Sequence, residues 1–225
     1  MNMDKKHLLI LLPAYNEERF IGKVIDKIRK NGFKNILVVD DGSNDNTYEI
    51  AVKKKVKTIK HIKNKGKGAA LKTGLSYAYS EGYDFVAILD ADNQHNPMDL
   101  NKLIREMESG NYDIIIGKRI NYEKMPFIRE ITNKVTSLVI SLLCKNRVMD
   151  SQSGFRLLKT KLVPFINLKT DRFEAESEML IQIGRNGFHI GEIPVSTLYG
   201  NEKSSINPII DAFRFIKMAV NYMWV

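Results

Sequence analysis

Two aspartates separated by one residue are the side chains in this sequence best suited to chemistry. Asp90 and Asp92 come directly after an apolar run, residues 85–89. In an extended turn, alternate side chains point the same way, so both carboxylates can face one cation. Mg²⁺ and Mn²⁺ prefer such oxygens and usually share them with substrate phosphates. The triplet, with the Gln94 amide close by, therefore predicts a Mg²⁺ or Mn²⁺ site beside a phosphate. A simpler reading is that Asp90 ends a strand and Asp92 opens the next helix.

Two further segments place polar side chains after apolar runs. In Asp40-Asp41-Gly42-Ser43 the carboxylates can accept hydrogen bonds from a base or a ribose, but all four residue types are also turn formers. In Pro13-Ala14-Tyr15-Asn16-Glu17, Tyr15 can flank a base and Glu17 can hold a ribose. The same segment also reads as a helix start, with Asn16 as the N-cap.

The segment Gly66-Lys67-Gly68 opens a predicted helix. Small residues let a backbone approach a ligand closely, and helix N-termini favour phosphate. The pattern lacks the remaining residues of a P-loop, so a P-loop is not expected.

Histidine and cysteine chemistry is not indicated. The four histidines have no metal-ligand spacing, and each is expected to be hydrogen-bonded or solvated. The one cysteine, Cys144, excludes an internal disulfide and lies in an apolar stretch, where a buried, inert thiol is expected.

The bulk properties indicate one globular domain with anionic partners. The chain has 225 residues, is 44% hydrophobic and carries a formal charge of +9. Such a charge favours nucleic acid, anionic lipid or phosphorylated small molecules, and no nucleic-acid-binding motif accompanies it. The apolar stretches 135–143 and 206–225 are too short or too interrupted by charge to span a bilayer, although a helix lying on a membrane surface fits them.

The elements that must position these side chains alternate along the first half. Apolar strands are predicted at 8–12, 35–39, 58–62, 85–89 and 114–116, and helices at 17–30, 45–56, 68–80 and 97–108. This order predicts an α/β fold with a parallel sheet covered on both faces, whose ligands bind at the carboxyl ends of the strands. The second half predicts helices at 126–143, 173–185 and from 206, and strands at 153–158 and 189–195.

The ordered motifs resemble one family. Besides those above, they include Asp90-Ala91-Asp92-Asn93-Gln94 and Asp150-Ser151-Gln152-Ser153-Gly154-Phe155-Arg156. Together they resemble the inverting family 2 glycosyltransferases, especially the dolichyl-phosphate mannosyltransferase and polyprenyl-phosphate glycosyltransferase branch. The resemblance implies a single GT-A domain over 1–225, with a mostly parallel central sheet flanked by helices. Its nucleotide-binding half would be about 7–119 and its acceptor-side half about 120–225.

The resemblance implies a role for each matching position on the donor side. The metal would be held by Asp90, Asp92 and Gln94, and the GDP- or UDP-linked hexose would be bound by Pro13, Tyr15, Glu17, Val39, Asp41, Lys67, Asp90, Ala91 and Gln94. In the related mannosyltransferases an arginine and a Ser-Lys pair stand near 199–205. The stretch here is different, and Lys203 would supply the diphosphate contact.

The resemblance also implies an acceptor side. The catalytic residues would be Asp92, Arg119 and Glu176, with Arg119 on a phosphate and Glu176 from the acidic segment 173–178 near the sugar. Arg129, Asn133 and Arg156 would bind the acceptor, although pairing of Arg156 with Asp150 is an alternative. A polyprenyl phosphate is already an anionic nucleophile at neutral pH, so positioning replaces a strong base.

Three functions remain open at the level of sequence. The first is hexose transfer to a polyprenyl phosphate by a cytoplasmic enzyme bound peripherally to the inner membrane face. The second is a soluble family 2 enzyme acting on a glycan hydroxyl, which requires a carboxylate base. The third is a nucleotide- or phosphate-binding protein without transfer activity. The sequence predicts no nucleic-acid partner and leaves the oligomeric state open.

Overall fold

The computed structural model describes residues 3–119, 127–196 and 208–223. A seven-stranded sheet runs through these residues. Its strands are β1 (Leu8–Ala14), β2 (Ile36–Asp40), β3 (Lys57–Lys60), β4 (Phe85–Ile88), β5 (Ile114–Arg119), β6 (Arg156–Lys159) and β7 (Ile190–Val195). The helices are α1 (Ile21–Lys30), α2 (Thr47–Lys53), α3 (Lys67–Ser80), α4 (Leu100–Ser109), α5 (Phe127–Cys144), α6 (Glu174–Arg185) and α7 (Pro208–Met223).

The sheet has the order β3-β2-β1-β4-β6-β5-β7. All neighbouring strands are parallel except β6, which runs antiparallel to β4 and β5. The mostly parallel sheet predicted from the sequence is therefore confirmed. The reversal of β6 places its amino end beside the carboxyl ends of β4 and β5, and Arg156 pairs with both Ile88 and Ile116.

Side chains that alternate along the strands fill two separate cores. Leu9, Leu11 and Val39 face one core with α3, α5, α6 and α7, whereas Leu8, Ile10 and Val38 face the other with α1 and α4. Because β1, β2 and β4 are buried on both faces, their sequences are nearly continuous apolar runs. Cys144 is buried in the first core, as predicted, and burial raises the pKa of its thiol.

The first helix starts later than predicted. Asn16 is not its N-cap: it adopts a left-handed φ of 57°, and α1 begins at Ile21. The Asn16 side chain instead accepts a hydrogen bond from the Asn44 backbone N–H, and the Asn16 N–H donates to Ser43 Oγ. The loop after β1 is thus tied to the loop after β2, which gives the carboxyl edge of the sheet a fixed rim.

Candidate active site

Asp90 lies at the centre of a charged cluster at this edge. Its Oδ1 is 2.5 Å from Lys67 Nζ, and its Oδ2 is 3.3 Å from His95 Nε2. Lys67 Nζ also lies 3.1 Å from Glu176 Oε2, so one ammonium bridges two carboxylates. Three segments that are distant in sequence therefore meet: the loop after β4, the start of α3 and the start of α6.

The charges of the cluster reinforce one another. Burial raises the pKa of Asp90, but the Lys67 and His95 charges and hydrogen bonds lower it by more, so it lies far below its ordinary value. Burial lowers the pKa of Lys67, but Asp90 and Glu176 raise it by more, so it lies above its ordinary value. Both groups are charged at neutral pH.

Asp92 is held differently. Its Oδ1 accepts a hydrogen bond of 2.9 Å from the Gln94 backbone N–H, and no Lys, Arg or His among the described residues forms an ion pair with it. Burial, followed by the negative charge of Asp90, raises the pKa of Asp92. Two carboxylates that repel each other in this way fit a divalent cation, which would relieve the repulsion.

The donor set suits a metal that shares its ligands with a substrate. Within residues 3–119, 127–196 and 208–223, no three or more His, Cys, Asp or Glu side chains form a ready-made metal cage. Two carboxylates with open positions are the arrangement that Mg²⁺ and Mn²⁺ adopt beside substrate phosphates. A bound divalent ion would stabilise negative charge on those phosphates.

Glycines allow the chain to close around Asp90. A Cβ on Gly154 would come within 2.8 Å of Asp90 Cγ, so only glycine fits there. A Cβ on Gly68 would lie 2.7 Å from the carbonyl carbon of Asp171 and 2.6 Å from Ala175 Cβ. The glycines around Lys67 thus admit another segment of the chain, and this close packing brings Lys67 within reach of Glu176.

The residues predicted to surround a nucleoside lie at the ends of β1 and β2. Tyr15 is 40% exposed, and Pro13 and Val39 are buried within their strands. The Asp41 carboxylate accepts hydrogen bonds from the Lys65 and Gly66 backbone N–H groups and contacts His61 Nδ1 at 2.7 Å. Asp41 therefore orders the loop that leads into α3, and any contact with a donor would be additional.

Two more of the predicted donor residues follow from the same loops. Glu17 is partly buried, and its backbone N–H donates to Thr47 Oγ1 at 2.7 Å. Ala91 is buried between the two aspartates. Lys203 and the side chain of Arg129 lie outside the described residues.

Arg119 faces the loop over residues 150–156. Its Nε and Nη2 donate to the two oxygens of Asp150 at 2.8 and 2.7 Å, and Asn133 Nδ2 donates to Asp150 Oδ1 at 3.1 Å. Burial raises the pKa of Asp150, but Arg119 lowers it by more, so the carboxylate stays ionised. Arg119 and Asn133, both predicted to meet phosphate, are thus joined through one buried aspartate.

The alternative pairing of Arg156 with Asp150 is not formed. The fully buried Arg156 guanidinium donates to the carbonyl oxygens of Ser153, Glu176 and Ser151, at 2.9, 2.7 and 2.8 Å. Asp150 is already taken by the bidentate contact with Arg119. Arg156 thus fixes the 150–156 loop to the start of α6. The acceptor contact predicted for it stays a prediction, and it would have to use the second N–H group of Nη1 or Nη2.

The structure distinguishes the three glutamates at the start of α6. Glu176 reaches Lys67, whereas Glu178 accepts bonds from the Lys169 and Thr170 backbone N–H groups and from Tyr222 Oη. Glu174 is partly buried, and its Oε2 has no hydrogen bond among the described residues. Only Glu176 lies in the Asp90 cluster.

Two members of the site were not predicted. His95 was expected to be hydrogen-bonded or solvated, yet it is buried against Phe155 with Nε2 towards Asp90, and its Nδ1 has no partner in the described part of the chain. Gly154 belongs to the 150–156 motif, but the sequence predicted no role for it. The sequence offered one signal for His95 and Gly154 as site residues: each lies in the same loop as residues that were predicted to belong to the site.

Comparison with known proteins points to one family. The chain matches the glycosyl transferase family 2 model over residues 9–164. It is 36% identical over 220 residues, 88% of each chain, to the UDP-N-acetylglucosamine–dolichyl-phosphate N-acetylglucosaminyltransferase of Methanococcus voltae. It is also 37% identical over 203 residues to an uncharacterized protein of Methanocaldococcus jannaschii, covering 88% of this chain and 84% of that one.

Among solved structures, the fold is similar to that of glucosyl-3-phosphoglycerate synthase from Mycobacterium tuberculosis in complex with Mn²⁺, UDP-glucose and phosphoglyceric acid. The TM-score is 0.74 at 19% identity, over 97% of this chain and 80% of that one. At this identity the likeness establishes the GT-A fold. With its carboxylate cluster at the sheet edge and the family match over most of its length, this chain belongs to glycosyl transferase family 2.

Proposed function

We propose that this glycosyltransferase moves a hexose from a UDP- or GDP-linked donor to a polyprenyl phosphate, with Mg²⁺ or Mn²⁺ between the enzyme and the donor diphosphate. The observation that carries the proposal is that two charged clusters lie at the same edge of the sheet. One contains Asp90 and Asp92, and the other contains Arg119 with Asp150. Two substrates can meet between them.

The donor side of the proposal rests on charge. Asp92 and Asp90 would hold the divalent ion, which compensates the negative charge of the departing nucleoside diphosphate. Tyr15, Glu17 and the loop ordered by Asp41 would bind the nucleoside, and Lys203 would contact the diphosphate. The relative from Methanococcus voltae is named for a UDP-linked donor, which favours a uridine nucleotide over a guanosine nucleotide.

The acceptor side rests on Arg119. An oxygen of the acceptor phosphate would attack the anomeric carbon of the hexose, and the bond from that carbon to the donor's β-phosphate oxygen would break with its electron pair. Arg119 and Asn133, with Arg129, would orient the acceptor phosphate, since placement is the main catalytic contribution when the nucleophile is already an anion. The relative's name includes dolichyl phosphate, which supports this acceptor class.

One face of the molecule suits a membrane that carries such an acceptor. α5 and α7 pack against each other, and both leave apolar side chains exposed: Ile131, Val135, Leu138, Leu142, Ile210, Phe213, Ile216, Val220 and Met223. Lys134, Lys145 and Arg147 line an adjoining groove of about 500 Å³ with Leu138 and Leu142. Apolar stripes bordered by cations favour an anionic lipid surface. None of the helices in the described ranges has the length and hydropathy needed to cross a bilayer.

A second function is favoured by one atom of Glu176. Its Oε1 is buried and has no hydrogen-bond partner among the described residues. A carboxylate oxygen in this position could accept the proton of a glycan hydroxyl, as the soluble alternative requires. If the acceptor is a hydroxyl, Glu176→Gln would abolish transfer. If the acceptor is a phosphate, the same variant would retain part of its transfer rate.

The test is transfer of radiolabelled hexose from UDP- and GDP-sugars to polyprenyl phosphate in detergent micelles, with Mg²⁺, Mn²⁺ or EDTA. Labelled lipid that forms only with a divalent ion supports the proposal. Label that appears only on added glycans would favour the hydroxyl acceptor instead. No transfer to either class from any donor would contradict both.

A further inference from the structure

The Lys67 ammonium lies next to Asp90, where a divalent cation bound to Asp90 would also lie. Its Nζ lies 2.5 Å from Asp90 Oδ1 and 3.1 Å from Glu176 Oε2, and its side chain is only 17% exposed. A divalent cation on Asp90 would meet this ammonium at short range, in a partly buried site where like charges repel strongly. The two cations therefore compete for the same carboxylate.

The backbone of Lys67 cannot move to relieve this conflict. The glycines on either side of it pack against Asp171, and the Gly66 N–H donates to Asp41 Oδ2 at 2.6 Å. The lysine side chain, by contrast, is a flexible four-carbon stem with a point charge at its end. Because Glu176 already shares the ammonium, Lys67 can leave Asp90 by a rotation of its side chain and keep one anionic partner.

We propose that Lys67 is an internal counter-cation that occupies Asp90 in the donor-free enzyme and releases it when the metal–nucleotide complex binds. The inference rests on the proposed function of Asp90 and Asp92 as metal carboxylates. In the free enzyme Lys67 weakens binding of the bare divalent ion. When the donor is bound, its diphosphate gives the displaced ammonium a new anion, so metal and nucleotide bind with positive coupling. The site therefore binds the metal only when a donor is present.

The test is Mn²⁺ affinity measured by calorimetry or electron paramagnetic resonance, without nucleotide and then with saturating UDP or GDP. Without nucleotide, Lys67→Met should bind Mn²⁺ roughly 10-fold more tightly than the wild type. Lys67→Arg, which keeps the charge, should bind it as weakly as the wild type. With nucleotide present, the advantage of Lys67→Met should disappear.

Lys63→Met is the matched control, because it removes one exposed lysine charge four residues before Lys67 and should leave Mn²⁺ affinity unchanged. If Lys67→Met does not fold, Lys67→Gln replaces it. If the neutral variants bind Mn²⁺ no more tightly than the wild type, the proposed exchange is wrong. The same holds if neither the wild type nor any variant binds Mn²⁺ without nucleotide. If the wild type still binds nucleotide only with Mn²⁺, the proposed function stands without the exchange. If nucleotide binding is independent of Mn²⁺, the metal role itself fails.

Discussion

Gly154 and Asp90 approach each other so closely that a Cβ on Gly154 would lie 2.8 Å from Asp90 Cγ. Gly154 precedes the antiparallel strand β6, and Asp90 follows β4, its neighbour in the sheet. The conformation of the proposed metal carboxylate therefore depends on the absence of a side chain in the loop that precedes β6.

Gly154→Ala should push the Asp90 carboxylate away from Lys67 and His95. We expect kcat/KM to fall by about 100-fold, as for a displacement of about 1 Å in a catalytic group. Steady-state kinetics measures this loss, and circular dichroism checks that the fold is retained. Gly82→Ala is the control, because a Cβ there meets nothing within 4 Å and only its φ of 73° is strained. Similar kinetic losses in both variants would mean that Asp90 is not the cause.

Asp92→Asn should raise the stability of the protein and lower its activity. Burial and the Asp90 charge raise the folded-state pKa of Asp92, so ionisation of Asp92 becomes unfavourable to folding as pH rises through the unfolded value. At neutral pH the amide should therefore give a more stable protein in EDTA, while metal-dependent transfer falls about 100- to 1,000-fold.

Thermal unfolding in EDTA and transfer assays measure the two effects of Asp92→Asn. Asp26→Asn, which removes an exposed partner of Lys54, should change neither quantity appreciably. A destabilised Asp92→Asn protein would contradict the interpretation of the raised pKa.

Asp150→Asn should weaken the fold and flatten its response to acid. Arg119 keeps the folded-state pKa of Asp150 below its ordinary value, so this carboxylate stabilises the protein above about pH 4, and that contribution is lost as pH falls further. Removing one partner of a buried pair costs about 3–5 kcal/mol. Urea unfolding should give the largest difference from the wild type near pH 7 and a smaller one near about pH 3. A difference that is constant with pH would exclude the ion pair as its source.

Leu142→Ser combined with Phe213→Ser should reduce binding to anionic lipid vesicles without unfolding the protein. These side chains are 73% and 70% exposed, so their loss should change stability by about 0.5 kcal/mol or less each. Co-sedimentation with vesicles measures binding, and transfer to a short-chain acceptor in detergent should be retained. Val52→Ser is the control, because this exposed side chain lies on α2, whose Ala51 belongs to the other core. Undiminished vesicle binding would remove α5 and α7 from the membrane face.

Much of the fold could be predicted from local patterns. The apolar runs at β1, β2 and β4 and the helical spacing in α1 and α4 predicted their elements to within a few residues, because burial on one or two faces leaves a periodic trace in sequence. The predicted bounds of short elements were less accurate. The helix predicted over 45–56 is α2, which is shorter, since its ends are held by turn contacts such as Thr47 with Asp45.

The sequence by itself determined that acidic side chains follow the strands of a parallel sheet and therefore meet at one edge. Only the tertiary structure decided which partners they have there. α6 is buried on nearly all sides over 175–181, so no amphipathic stripe marks Glu176, rather than Glu178, as the residue that faces Lys67. Likewise, Arg156 binds carbonyl oxygens and Gly154 touches Asp90 because β6 enters the sheet in reverse. Strand direction and helix rotation are set by packing between distant segments, and no local period in the sequence records them.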